Sequence, residues 1–255
     1  MSASRTVLSA ARLAIVAALF FVWEALSRTG TVNPRLLPSA SDVFVTLWNL
    51  LLRPRIHSDI AVTLLEVLIS FAISVPVGVA IGLIIAESRY LGEVFKPLMF
   101  FLFSLPKAIF LPLFILAFGI SFEEKVAYGF VSSFLTMVIC TTAAVESIRA
   151  DHIMIARSFG ATKSQIVRRV YLPSMLPVLI EALRISMIFT VAGVILAEMY
   201  AARGGIGYQI SNWGETYQVR QLLAGVLLVS GIAIMFNEAI RWVEQKCGRW
   251  RTCNE

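Results

Sequence analysis

Long uninterrupted apolar runs constrain this chain more than any other feature. Six of them, roughly residues 8–27, 60–86, 97–119, 126–146, 177–199 and 221–242, are each long enough to cross a hydrocarbon core, which takes about 20 mostly apolar residues in a helix. In lipid every main-chain N–H and C=O must find its partner within the protein, so a run of this length and composition folds as a helix. The rest of the composition agrees. The 255 residues are 58% hydrophobic and 15% charged, with a mean hydropathy of +0.80, whereas soluble domains are nearer 45–50% apolar and about 25% charged. The expectation is an all-α integral membrane protein with six transmembrane helices.

The first run is the weakest, because Arg12 and Glu24 interrupt it. Arg5 and Arg12 ahead of an apolar stretch could also mark a cleaved signal peptide, but Leu26-Ser27-Arg28-Thr29 offers no small-x-small site, so a retained anchor is expected. With the N-terminus inside, the inner segments collect Arg5, Arg12, Arg89, Lys96, Arg149, Arg157, Lys163, Arg168, Arg169, Arg241, Lys246, Arg249 and Arg251. The outer segments hold Arg28, Arg35, Arg53, Arg55, Arg203 and Arg220, and Lys125 sits at a boundary. This cytoplasmic excess of cations predicts both termini inside. The net charge of +6 therefore reads as topology and not as a nucleic-acid footprint, since the cations form no single stripe.

Residues 41–52 place Val43, Phe44, Leu47, Leu50 and Leu51 on one helical stripe, with Ser41 or Asp42 as cap. They predict a short helix at the outer interface. Residues 199–220, with their glycine pairs, are too polar to span and predict a re-entrant or interfacial helix over the outer mouth. The expected organisation is an anchor plus interfacial helix over 1–58, a transmembrane core over 59–245 and a cytoplasmic tail over 246–255.

Several chemistries are not supported. No Gly-x4-Gly-Lys-Ser/Thr occurs, so the chain carries no phosphate-cradling loop. Cys140, Cys247 and Cys253 form neither CxxC nor a Cys/His cluster, and His57 and His152 have no ligand-spaced companion. No metal site and no catalytic residue is expected. Glu66 lies on the second run and Glu181 and Glu198 lie far apart on the fifth, and they are not expected to meet as an acid–base pair.

Charges at bilayer depth cost about 2.5–3.5 kcal/mol each on insertion scales, so each needs a reason. Lys107, directly after Pro106 in the third run, is either a cation lining a translocation path, or a structural lysine paired with Glu66, Glu181 or Glu198 or snorkelling at a proline-broken helix. Arg184 has Glu181 at i−3 and predicts an ion pair. Glu198, beside the glycine cluster, either meets a solute or caps the outer gate. Pro76, Pro106 and Pro112 predict kinks or breaks in the second and third runs.

Between the fourth and fifth runs, residues 151–173 are polar and basic. Asp151 can cap a short helix ended by Gly160. Thr162-Lys163-Ser164-Gln165 has the spacing of a capping box that opens a second helix, and Pro173 is expected to stop it. Ala156, Gly160 and Val170-Tyr171-Leu172-Pro173 closely resemble the cytoplasmic "EAA" loop of ABC importer permeases. Met154 and Ile155 stand where that family has Glu and Ala, so the resemblance carries the helical loop and not its charged contact. Leu37–Val43, Leu111-Pro112-Leu113-Phe114 with Phe118-Gly119-Ile120, and Gly204–Tyr208 are similar to the nitrate/sulfonate/taurine subgroup, over roughly residues 36–245.

The resemblance implies a type I importer permease subunit. Its coupling loop would span 147–176, with Asp151, Met154, Ala156, Gly160, Ala161, Leu172 and Pro173 against an ATPase. The implied partners are a second permease copy, two ABC ATPase subunits that carry ATP and Mg, and an extracytoplasmic solute-binding protein, all at a bacterial inner membrane. The implied solutes are small and often anionic, such as nitrate, taurine, alkanesulfonates or bicarbonate, with pyrimidine precursors among them. On that reading Lys107, Arg184 and Glu198 are the candidate path residues. The rival is an ion-coupled secondary carrier, which calls for intramembrane acids and a symmetric repeat; the sequence has no convincing repeat.

Overall fold

The computed structural model describes residues 2–30, 33, 36–148 and 150–247. Arg35, Arg149, Arg249, Arg251, Cys253 and most of the expected tail lie outside the described residues, as do the side chains of Arg5, Arg12, His152, Lys163, Lys246 and Cys247. The described chain is helical throughout. It runs α1 (Ser2–Arg28), α2 (Ala40–Leu51), α3 (Pro54–Glu87), α4 (Arg89–Ser104), a 3-10 turn (Lys107–Phe110) and α5 (Leu111–Phe118). Then come α6 (Phe122–Glu146), α7 (Ala150–Ser158), α8 (Lys163–Ile166), a π turn (Val167–Tyr171), α9 (Leu172–Tyr200), α10 (Ile206–Glu215) and α11 (Val219–Cys247).

Among the described residues four helices are long and apolar enough to cross a membrane, within α3, α6, α9 and α11. A fifth span exists if α4 and the 107–118 segment count as one element; their axes differ by 85°. The third run is thus broken, as Pro106 and Pro112 predict. The cause is local: Leu105 is extended (φ −71, ψ 136) ahead of Pro106, as the residue before a proline prefers, and Pro112 supplies the first turn of α5. Pro76 has a milder outcome, since α3 continues helical through it. The first apolar run is helical along its length as α1 but is not among the candidate spans.

α3, α6 and α9 form the inner core. Small residues set how closely they approach. A Cβ on Gly78 would lie 2.5 Å from the Cβ of Met137, and one on Gly82 would lie 2.6 Å from that of Thr141 and 2.9 Å from the Val138 carbonyl oxygen. Hydroxyls bond across the same seam, Ser133 to Ser74 at 2.9 Å and Ser70 to the Val126 carbonyl at 3.0 Å. Lipid tails are as apolar as leucine, so in a membrane this close contact and the hydroxyl bonds hold helices together in place of a hydrophobic drive.

α2 is helical as its stripe predicts, but two details differ. Ser39 and not Ser41 or Asp42 is the cap, accepting from the Asp42 N–H at 3.2 Å. The stripe also packs on protein: Val43 and Leu50 are buried with Ile206, Ile210, Trp213, Ala224 and Leu228 of α10 and α11. Glu24 of α1 has a matching use, because its carboxylate accepts from the Ser41 N–H at 3.1 Å and the Ser41 hydroxyl at 2.9 Å.

Candidate functional site

Three places concentrate polar chemistry: a hook at 150–171, a cavity at the α4–α5 break, and a clamp under α10. The hook is built from two capped turns. α7 begins at Ala150, so Asp151 lies in its first turn and is not its cap. Gly160 ends it with φ +73, a left-handed value that costs residues with a Cβ about 1–2 kcal/mol. The Ala161 N–H reaches the Ala156 carbonyl at 3.1 Å and the Gly160 N–H that of Arg157 at 2.9 Å, the bond pair of a Schellman ending. The capping box forms as its spacing predicts: the Gln165 side chain accepts from the Thr162 N–H at 2.8 Å, and the Thr162 hydroxyl accepts from the Gln165 N–H at 3.3 Å.

Pro173 does not stop the second helix. The path runs from α8 through the π turn into α9, where Pro173 sits in the first turn. A proline has no N–H to give the carbonyl four residues back and its ring crowds that group; the chain widens locally and the Leu172 N–H bonds to Val167 instead. The hook is thus an extension of α9. Ala156 and Ala161 pack on the cluster of Ala144, Val145, Ile166, Tyr171 and Met175, which joins it to the end of α6. Met154, Ile155 and Phe159 point away, at 66%, 55% and 87% exposure, and Leu172 and Pro173 are also exposed.

Lys107 lies at the α4–α5 break. Its ammonium donates to the Ser132 carbonyl at 3.0 Å and stands 4.8 Å and 4.6 Å from the ring centres of Phe103 and Phe189. None of Glu66, Glu181 or Glu198 is its partner, which corrects the structural-pair alternative. The lysine borders a cavity of about 380 Å³ between the break, α6 and α9. Arg184 is elsewhere and occupied: it bonds Glu181 at 3.1 Å, and also Glu244 of α11 at 2.7 Å.

Glu198 is fully buried and neither oxygen is spare. One accepts from the Thr63 hydroxyl at 2.6 Å, the other from the Gly207 N–H at 2.7 Å. Asp59 accepts from the Gly205 N–H at 3.0 Å and the Gln209 side chain at 2.7 Å, and Thr63 accepts from the Ile206 N–H at 3.0 Å. These groups satisfy the orphan donors that open α10 and bring negative charge to the positive end of its dipole. Gly205 has φ +98, and a Cβ there would run into the Glu198 carboxyl. Both oxygens of Glu198 are thus engaged in holding the start of α10.

Glu66 is also buried and lies near Glu198, and one of its carboxyl oxygens has no hydrogen-bond partner among the described residues. α3 and α9 pack directly, which brings Glu66 beside the α10 clamp. Asp59 and Thr63 were overlooked in the sequence, although with Glu66 their i, i+4, i+7 spacing is one polar stripe on an apolar helix.

Residues 78–249 match the family described as binding-protein-dependent transport system inner membrane component. The chain is 24% identical over 240 residues to the taurine transport system permease protein TauC of Escherichia coli K12, covering 92% of this chain and 87% of that one. It is 23% identical over 238 residues to the nitrate import permease protein NrtB of a Synechocystis strain, covering 90% and 86%. A solved structure of the MetNI methionine ABC transporter, in an inward-facing conformation, has the same fold over 82% of this chain and 98% of that one, with a TM-score of 0.62 and 22% identity.

Proposed function

The chain belongs to the binding-protein-dependent transport system inner membrane components, and on that premise we propose that it forms, with a second copy of itself, the path of an ATP-driven importer for a small anionic solute. It is a multi-pass membrane protein and a transport subunit. Two ABC ATPase subunits, carrying ATP and Mg, dock beneath it, and an extracytoplasmic solute-binding protein delivers solute above, at a bacterial inner membrane. Six spans with both termini inside complete the arrangement, α1 and the broken α4–α5 element included. The taurine and nitrate relatives support the solute class.

The observation that carries this reading is the hook. It is capped at both turns, continuous with α9 and packed on α6, so a push on α7 moves two core helices together. Met154, Ile155 and Phe159 offer the ATPase an apolar contact. ATP binding then shifts the permease between two states because the closed ATPase pair contacts the hook differently from the open one.

Gly160→Leu tests the coupling. Nothing in this chain lies within 4 Å of a Cβ at that position, so the cost within the subunit is only the left-handed strain, about 1–2 kcal/mol. The subunit should insert and assemble, while ATPase activity stimulated by the loaded binding protein, and uptake, fall together by about tenfold. Wild-type stimulation and uptake in that variant would sink the coupling role.

Orientation is tested separately. A cysteine replacing Ser158 in α7 should be protected from impermeant thiol reagents in intact cells, and one replacing Thr216 beyond α10 should label; both positions are exposed. The opposite pattern would invert the topology.

A further inference from the structure

We propose that Lys107 and the cavity it borders form the point at which the permeating solute is selected, and that the ligand class is a small monovalent organic anion, with the anionic head on the ammonium and an apolar body against the cavity wall. The proposal rests on the importer reading and names the site within it.

The charge on Lys107 is held by neutral groups. Its partners are one main-chain carbonyl and two phenyl rings, whereas Lys125 pairs with Glu124, Arg184 with two glutamates and Lys96 with Glu146. An ammonium has three donors, and the Ser132 carbonyl takes one. The carbonyl and rings fix its position and partly stabilise the cation without cancelling its charge, so an incoming anion meets a positive charge in a half-buried, mainly apolar pocket.

The surroundings fit a transit site. Leu105 and Pro106 are non-helical, and such backbone is tolerated at membrane depth where it is buried in protein or lines a cavity. Lys107, Leu105 and Tyr128 border both the cavity of about 380 Å³ and a neighbouring one of about 350 Å³, so the ammonium stands where the two adjoin. Both volumes lie in the range of small-molecule sites. The wall of the first is mainly apolar, with Phe103, Phe189 and Leu196 on it. A bare multivalent oxyanion would lose its hydration there with one cation in return, and an organic monoanion loses far less.

The test needs no knowledge of the natural solute. Ala192 is exposed on the wall of the first cavity. In the purified permease–ATPase complex, with Cys140, Cys247 and Cys253 replaced by alanine, Ala192→Cys is labelled with anionic sulfonatoethyl and cationic trimethylammonioethyl methanethiosulfonates. The anionic-to-cationic rate ratio should fall about tenfold in Lys107→Met and stay near its starting value in Lys107→Arg. With neutral methyl methanethiosulfonate, 1-butanesulfonate should slow labelling more than sulfate does at equal ionic strength, and Lys107→Met should lose that protection. An unchanged ratio, equal protection by sulfate, or no labelling by any reagent would each overturn the proposal. Failure of an ATPase to co-purify would instead sink the importer reading, and the same labelling of the permease alone would still judge the site.

Discussion

Glu198→Leu should release α10 from the helices beneath it. The substitution strands the buried Gly207 N–H and takes from the Thr63 hydroxyl its charged acceptor, leaving it the Asp59 carbonyl at 3.1 Å. An unsatisfied buried donor costs about 1–3 kcal/mol, so the clamp should lose about 3 kcal/mol. In detergent the variant should melt well below the parent, and protease should cut first in the 201–206 segment. Glu198→Gln should lie between, because its single carbonyl can accept one of the two bonds while its amide faces the other donor. A wild-type melting temperature for Glu198→Leu would show that α10 is held by its apolar face alone.

Gly82→Val is the second large effect. Its Cβ would meet Thr141 Cβ at 2.6 Å and the Val138 carbonyl at 2.9 Å, and a backbone atom cannot swing aside as a side-chain tip can. α3 and α6 must separate, which breaks the bond from the Thr142 hydroxyl to the Gly82 carbonyl at 3.4 Å and opens the core seam. Overpacking costs typically 1–3 kcal/mol; here the upper end or beyond is expected, seen as loss of folded protein at equal synthesis. Gly231→Ala is the matched control, since nothing lies within 4 Å of a Cβ there, and helix propensity favours alanine by about 1 kcal/mol. Equal yields of the two variants would argue against a tight α3–α6 seam.

Local signals in the sequence were reliable where local physics decides. The capping box at Thr162–Gln165 and the left-handed glycine at 160 form as their spacing predicts, because both motifs close within a few residues. The Asp151 cap, the Ser41 or Asp42 cap and the Pro173 stop failed by small shifts: the chain offered neighbouring alternatives, Ser39 and a π turn, that satisfied the same backbone groups. The prolines of the 97–119 run predict its break but not its angle: hydropathy is blind to direction, and the chain turns there by 85°.

The chain by itself determined that it would be helical, that its apolar runs would seek lipid or one another, and that a polar hook would sit between the fourth and fifth of them. Those outcomes follow from length, hydropathy and backbone hydrogen bonding, which are properties of contiguous residues. Only the tertiary structure decided the use of each buried charge. Glu198 became a cap because α10 folds back onto it, Glu66 became its neighbour because α3 and α9 pack directly, and Arg184 found Glu244 on α11, 60 residues away. Lys107 drew two rings and a carbonyl and, among the described residues, no acid. Electrostatic pairing depends on distance in space and falls off within a few ångströms, so the partner of a membrane charge is set by packing between helices far apart in the chain.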